Sequence, residues 1–205
     1  MKILFSVILL FLQQFSIAQN LEDCEPWYEI ISYPISQLSS YKVIQKNEKY
    51  GFRLIKTEDN DTCYGGCYFL LDTRLDSAYL LTATFFDYPE DSSDDKNEWN
   101  VRTSIFSPDG KYTALKFFHF GGIPIVKTNK LRLYLKKKAP PQFCIDQYKP
   151  GYGPSPIHRV IGWKNNTKLI YGWGCCGTSF TGEYDIMKRK TKLLGEVDSW
   201  RDSEE

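Results

Sequence analysis

The chain has 205 residues, 26 basic against 25 acidic side chains and a formal charge of +1. So even a balance excludes a general electrostatic footprint for nucleic acid or an anionic membrane. Aromatics make up 16% of the residues and methionines number two, which suits pleated, sheet-rich packing.

The first segment reads as an export signal. Lys2 supplies a positive start, Ile3 to Leu12 form an apolar run, and Ser16-Ile17-Ala18 offers small residues at the cleavage-determining positions. Residues 1–18 are therefore expected to be removed as a secretory signal peptide. An apolar run of this length is too short for a bilayer that needs roughly twenty residues, so no membrane span is expected in the mature chain. Residues 19–205 are expected to form a single all-β domain in a secreted or periplasmic protein. Cleavage also removes Lys2, which leaves the mature chain neutral.

All six cysteines, Cys24, Cys63, Cys67, Cys144, Cys175 and Cys176, lie beyond the leader. An even count in an exported chain reads as a disulfide framework, with the connectivity open. Their spacing matches no zinc pattern, so neither a metal nor another cofactor is expected.

After a mixed stretch with one short strand over 20–40, three related units follow, at about 43–85, 105–146 and 160–198. The middle one is the clearest. Ser107-Pro108-Asp109-Gly110 separates Ile105-Phe106 from the run Lys111 to Phe118. Proline fits the first corner of a turn, aspartate bonds to nearby backbone, and glycine accepts positive φ. The first copy places Lys49-Tyr50 on Lys111-Tyr112, and the third places Trp163 on Phe106. Each hairpin is followed by a loop and a second strand pair: Tyr68–Asp72 with Ala78–Thr82, Leu131–Leu135 with Phe143–Ile145, and Tyr184–Met187 with Lys192–Val197. Four short strands per unit predict an antiparallel meander repeat. No stretch holds a helical apolar period for three turns. A twisted β-sandwich of the same meanders is the alternative.

Phe106-Ser107-Pro108-Asp109-Gly110-Lys111-Tyr112-Thr113-Ala114 resembles the blade motif of WD-type and TolB-type β-propellers. Weaker copies stand near residues 45–52 and 163–171. The resemblance implies a propeller-like arrangement of the three units, and a role in protein binding or scaffolding.

Candidate chemistry is sparse. His119 and His158 are the only histidines. An envelope hydrolase would need His158 beside a carboxylate or a serine such as Ser155, but no nucleophile elbow accompanies it. The acidic run Asp87, Glu90, Asp91, Asp94, Asp95 and Glu98 lacks the alternation and central glycine of a calcium loop and reads as a solvated connection. Lys136-Lys137-Lys138 and Lys188-Arg189-Lys190 are expected at equivalent hairpin tips. Asn60-Asp61-Thr62 and Asn165-Asn166-Thr167 fit the N-glycosylation pattern. The glycine-rich stretches 63–67, 120–124 and 172–177 are expected as equivalent loops. With Tyr64, Phe120 and Trp173 they would form an aromatic binding face. The expected function is that of an exported, non-enzymatic binding protein, of inhibitor or immunity type, docking a protein or an envelope component. The alternatives are the hydrolase and a structural cell-surface module.

Overall fold

The computed structural model describes residues 30–38, 40–58, 67–81, 104–117, 122–145, 148–149, 153–154, 157–175 and 178–198. Placement is of the backbone alone at 148–149, 153–154, 157–159, 174–175, 178–179 and 196–198. The architecture is all-β apart from one short helix.

The first sheet contains β1 (Ser32–Pro34), β2 (Tyr41–Asn47), β3 (Phe52–Thr57), β4 (Tyr68–Asp72) and β5 (Ser77–Leu80), in the order β1-β5-β4-β3-β2. Every residue of β4 is buried. Tyr68 and Leu70 face the main core, whereas Phe69 and Leu71 join a smaller cluster with Ile55, Cys67 and Ala78 on the other side. A strand buried on both faces reads as a continuous apolar run, and Tyr68-Phe69-Leu70-Leu71 is one.

The second sheet is β6 (Tyr112–Ala114), β7 (Ile123–Lys127) and β8 (Phe143–Ile145), and an isolated bridge from Phe106 to Thr113 extends it on the β6 side. The third is the meander β11 (Ile157–Asn165), β12 (Lys168–Cys175), β13 (Thr178–Asp185) and β14 (Lys190–Asp198). A two-residue pair, β9 (Tyr148–Lys149) with β10 (Gly153–Pro154), lies between them in sequence. The main core takes side chains from all three larger sheets, including Phe52, Leu70, Ile105, Ile125, Trp163 and Tyr171. Each fully buried side chain of this kind contributes roughly 1.5–3 kcal/mol before the cost of ordering it.

Three expectations are corrected. Leu131–Leu135 is not a strand but a helix, α1, entered through a 3-10 turn at Thr128–Lys130. Leu131, Tyr134 and Leu135 are buried at helical spacing, while Leu133, which a strand would place on the same face as Leu131, is 46% exposed. Five residues reading Leu-Arg-Leu-Tyr-Leu satisfy either period, and packing decided it. Second, Lys136-Lys137-Lys138 is the end of that helix rather than a hairpin tip. Lys137 takes φ +56, and the Lys138 N–H donates to the Leu133 carbonyl at 2.7 Å, a Schellman-type stop. Lys188-Arg189-Lys190 does sit at a hairpin, between β13 and β14. Third, Gly172-Trp173-Gly174 is not loop but the continuation of β12.

The second hairpins of the first and third sheets share a turn chemistry that the sequence reading missed. Asp72 Oδ1 accepts the Arg74 N–H, and Asp76 takes φ +49. Asp185 Oδ1 accepts the Met187 and Lys188 N–H groups, and Arg189 takes φ +53. An aspartate opening the turn and a left-handed residue closing it were both visible as spacing.

Candidate functional site

The Ser107–Gly110 turn holds itself together with side chains chosen for that purpose. The Gly110 N–H donates to the Ser107 carbonyl at 2.7 Å, and Gly110 has φ +67. Ser107 Oγ donates to Asp109 Oδ1 at 2.8 Å and accepts the Tyr112 N–H at 3.0 Å. Asp109 Oδ1 also accepts the Lys111 N–H at 3.1 Å, and Oδ2 lies 3.0 Å from Lys111 Nζ. Partial burial alone would raise the Asp109 carboxyl. The bonds from Lys111 and Ser107 outweigh it and hold the group below its ordinary range.

The same turn is held from both sides by its neighbours. From the first sheet, Asn47 Nδ2 donates to the Gly110 carbonyl at 3.0 Å. From the third, Asn166 Oδ1 accepts the Asp109 N–H at 3.0 Å. One step inward, Gln45 Oε1 accepts the Ile105 N–H at 2.9 Å and the Ser104 hydroxyl at 3.2 Å. Trp163 Nε1 donates to the carbonyl of the same Ile105 at 3.1 Å. The Tyr112 ring lies between Trp163 and Phe143, with centroids 6.4 and 6.2 Å away.

Gln45 reaches the second sheet because β2 carries a bulge at Ile44, between the pairs Val43–Ile55 and Gln45–Leu54. An extra residue lets two neighbours share a face. Ile44 packs on the main core, and Gln45 stands opposite Leu54, which belongs to that core; Val43 packs on the smaller cluster instead. Past the bulge, Asn47 stands opposite Phe52 on the core side and is buried. Gly110 is close-packed as well as left-handed: a Cβ there would come within 3.0 Å of Asn47 Nδ2.

Between β2 and this turn lies a groove of about 560 Å³, lined by Val43 to Lys49 on one wall and by Ser104, Phe106 and Ser107 to Gly110 on the other. Its lining carries backbone, amide and hydroxyl groups, with Lys46, Glu48, Lys49 and Asp109 at its edges. Glu48 is engaged by Arg53 at 3.6 Å. The Ser104 and Ser107 hydroxyls in its lining are engaged by the contacts above.

A second junction ties the first sheet to α1. Arg132 Nε and Nη2 meet Asp72 Oδ2 and Oδ1 at 2.6 and 2.7 Å, and Nη2 also donates to the Tyr50 carbonyl at 2.7 Å. The guanidinium lies 4.5 Å from the Phe52 ring centroid. This planar, bidentate arrangement is one that arginine forms and lysine does not.

Of the expected aromatic face, Tyr64 and Phe120 lie outside the described residues. Trp173 is 4% exposed, stacked between Tyr171 and Phe180 at 5.2 and 5.5 Å, and its ring is core rather than an open contact. Cys67 and Cys144 are buried. Cys24, Cys63 and Cys176 lie outside the described residues, as does the Cys175 side chain. The His158 backbone pairs with Trp173 across β11 and β12, while its side chain, His119, Ser155 and the acidic run 87–98 are not among the described parts. Among the described residues no group of three or more His, Cys, Asp or Glu side chains is placed to hold a metal, and no helix is long and apolar enough to cross a membrane.

Sequence reasoning found the Ser107–Gly110 turn but missed Gln45, Asn47, Asn166 and the Asp72–Arg132 pair. The signal for the asparagines was present, since Asn47 and Asn166 both stand at hairpin corners. Compared with known proteins, the chain matches no family model, no curated protein and no solved structure.

Proposed function

We propose that this is an exported, non-enzymatic binding protein whose three four-stranded antiparallel meanders form a propeller-like, disulfide-stapled arc. Three regularities support the arrangement. Counting the Phe106–Thr113 bridge, the second sheet has four strands, as the third does, and the first has the same four with β1 added at its edge. The first hairpins of the first two units close at Asn47–Phe52 and Ser107–Tyr112, sixty residues apart on both strands. Each hairpin turn is bonded to the next one along the chain through Asn47 and Asn166. The helix α1 takes the place of a hairpin turn in the second unit.

The observation that carries the binding role is the polar groove between β2 and a turn immobilised from both sides. Rigid walls around an open channel lower the entropic cost of holding a ligand. A partner that is itself an exported or envelope protein fits an exported, neutral chain.

The test is site-specific photo-cross-linking. A photoreactive residue at Lys49, on the groove rim, is compared with one at Met187, which is 72% exposed on a different hairpin. Adducts with secreted or envelope proteins are expected at 49 and not at 187. Equal labelling at the two positions would count against a discrete binding groove. Turnover of an ester, peptide or glycoside substrate that disappears in His158→Ala would replace the reading with the hydrolase.

A further inference from the structure

We infer that the groove-side edge of β2 is a docking strand for an extended, acidic segment of a partner protein, which adds to the first sheet as a sixth strand. This deepens the binding role proposed above and rests on it.

Among the described residues the edge is open by topology and by hydrogen-bond parity: β2 is the last strand of its sheet there, with β3 as its single neighbour. In an antiparallel pair, residues alternate between those that exchange backbone bonds with the partner and those that point away. The Thr57 N–H donates to the Cys67 carbonyl, and the Gly51 carbonyl accepts from Thr73. Odd positions of β3 therefore serve β4, and Phe52, Leu54 and Lys56 serve β2. Their partners Asn47, Gln45 and Lys42 spend their backbone groups inside the sheet. Tyr41, Val43 and Lys46 then point theirs outward. Among the described residues no backbone bond from another segment reaches these three. Val43 and Lys46 line the groove, so an incoming strand meets paired donors and acceptors there. Main-chain bonding of this kind is a recurrent mode of peptide capture.

Charge selects the occupant. Lys46 and Lys49 are both exposed along β2 and its turn. The acid nearest them in sequence, Glu48, is beside Arg53, and Asp109 on the facing wall is beside Lys111. A second copy of this edge would set lysine against lysine, which is how natural sheets deter self-pairing. The same lysines favour a strand whose side chains are acidic. The Ser107–Gly110 wall, fixed by Asn47 and Asn166, limits what enters to a slender, extended chain.

The experiment uses three synthetic nine-residue peptides and the full mature chain. One alternates Glu with Val and Thr, one has Lys in place of each Glu, and one is the acidic peptide N-methylated at alternate residues along one edge. Binding is followed by fluorescence anisotropy, and amide exchange at Val43 and Lys46 is followed by NMR. The acidic peptide is expected to bind saturably and at least tenfold more tightly than the basic one, and to slow exchange at both amides. N-methylation is expected to cost tenfold or more, because it removes the donors while leaving the charge. The surface double variant Lys46→Glu/Lys49→Glu is expected to reverse the preference between acidic and basic peptides. Equal binding of the N-methylated peptide, equal binding of the basic peptide, or self-association of the chain through β2 would overturn strand addition. Adducts at position 49 with a flat peptide series would overturn it alone and leave the broader binding role standing.

Discussion

Replacing Arg132 with methionine tests the junction on which the first sheet and α1 depend. The Asp72 side chain is 0% exposed and that of Arg132 is 25% exposed. Truncation leaves a buried carboxylate with the Arg74 N–H but without its guanidinium. It also removes the bond to the Tyr50 carbonyl and the contact with the Phe52 ring. Stranding one partner of a buried pair costs about 3–5 kcal/mol. The quarter-exposed arginine site admits some water, so the lower end, about 3 kcal/mol, is expected. That is a fall of about 150-fold in the folded-to-unfolded ratio, read as a shift in the urea midpoint at constant slope. The double variant Asp72→Asn/Arg132→Met removes the stranded charge and is expected to recover at least half of the loss, since an amide can still accept the Arg74 N–H. Arg132→Lys should sit between, having a charge but no planar fork. A cost below about 1 kcal/mol for Arg132→Met would refute the claim that this pair joins the two units.

Two further outcomes follow from packing and from burial. Gly182 lies against the Trp173 ring, where an added Cβ would approach Cζ3 to 2.8 Å and Thr191 Cγ2 to 3.1 Å; because that ring is clamped between Tyr171 and Phe180, Gly182→Ala should cost about 1–3 kcal/mol with a red shift in tryptophan emission, and an unchanged melting curve would refute the close packing. Burial lowers the Lys116 ammonium to about 8 from its ordinary 10.5, so between those values the unfolded chain binds more protons than the folded one and stability should rise with pH. The gain is on the order of 3 kcal/mol across the window, opposed above pH 10 by Tyr171, whose hydroxyl burial pushes up to about 12. Lys116→Met should abolish the rise between pH 8 and 10, and parallel pH profiles for the two proteins would contradict a buried amine at this site.

What the sequence determined by itself was the local chemistry. Strand alternation, the apolar run of β4 and the residues of Ser107–Gly110 are set by near neighbours, so the all-β class and the central turn were legible without coordinates. Where a segment satisfies two local rules, only packing chooses. Leu131–Leu135 fits both a strand and a helix, and it became a helix because Leu131, Tyr134 and Leu135 find core on one face while Arg132 finds Asp72. Trp173, flanked by glycines, read as a loop aromatic. Those glycines lie in β12, and across the sheet Gly182 leaves room for the ring to lie flat in the core. The groove was equally hidden. It needs the one-residue bulge at Ile44 to turn Gln45 toward the second sheet, and Asn47 and Asn166 to meet a single turn from positions 63 and 57 residues away in sequence. Contacts at that separation depend on how sheets pack against one another, which no local pattern encodes.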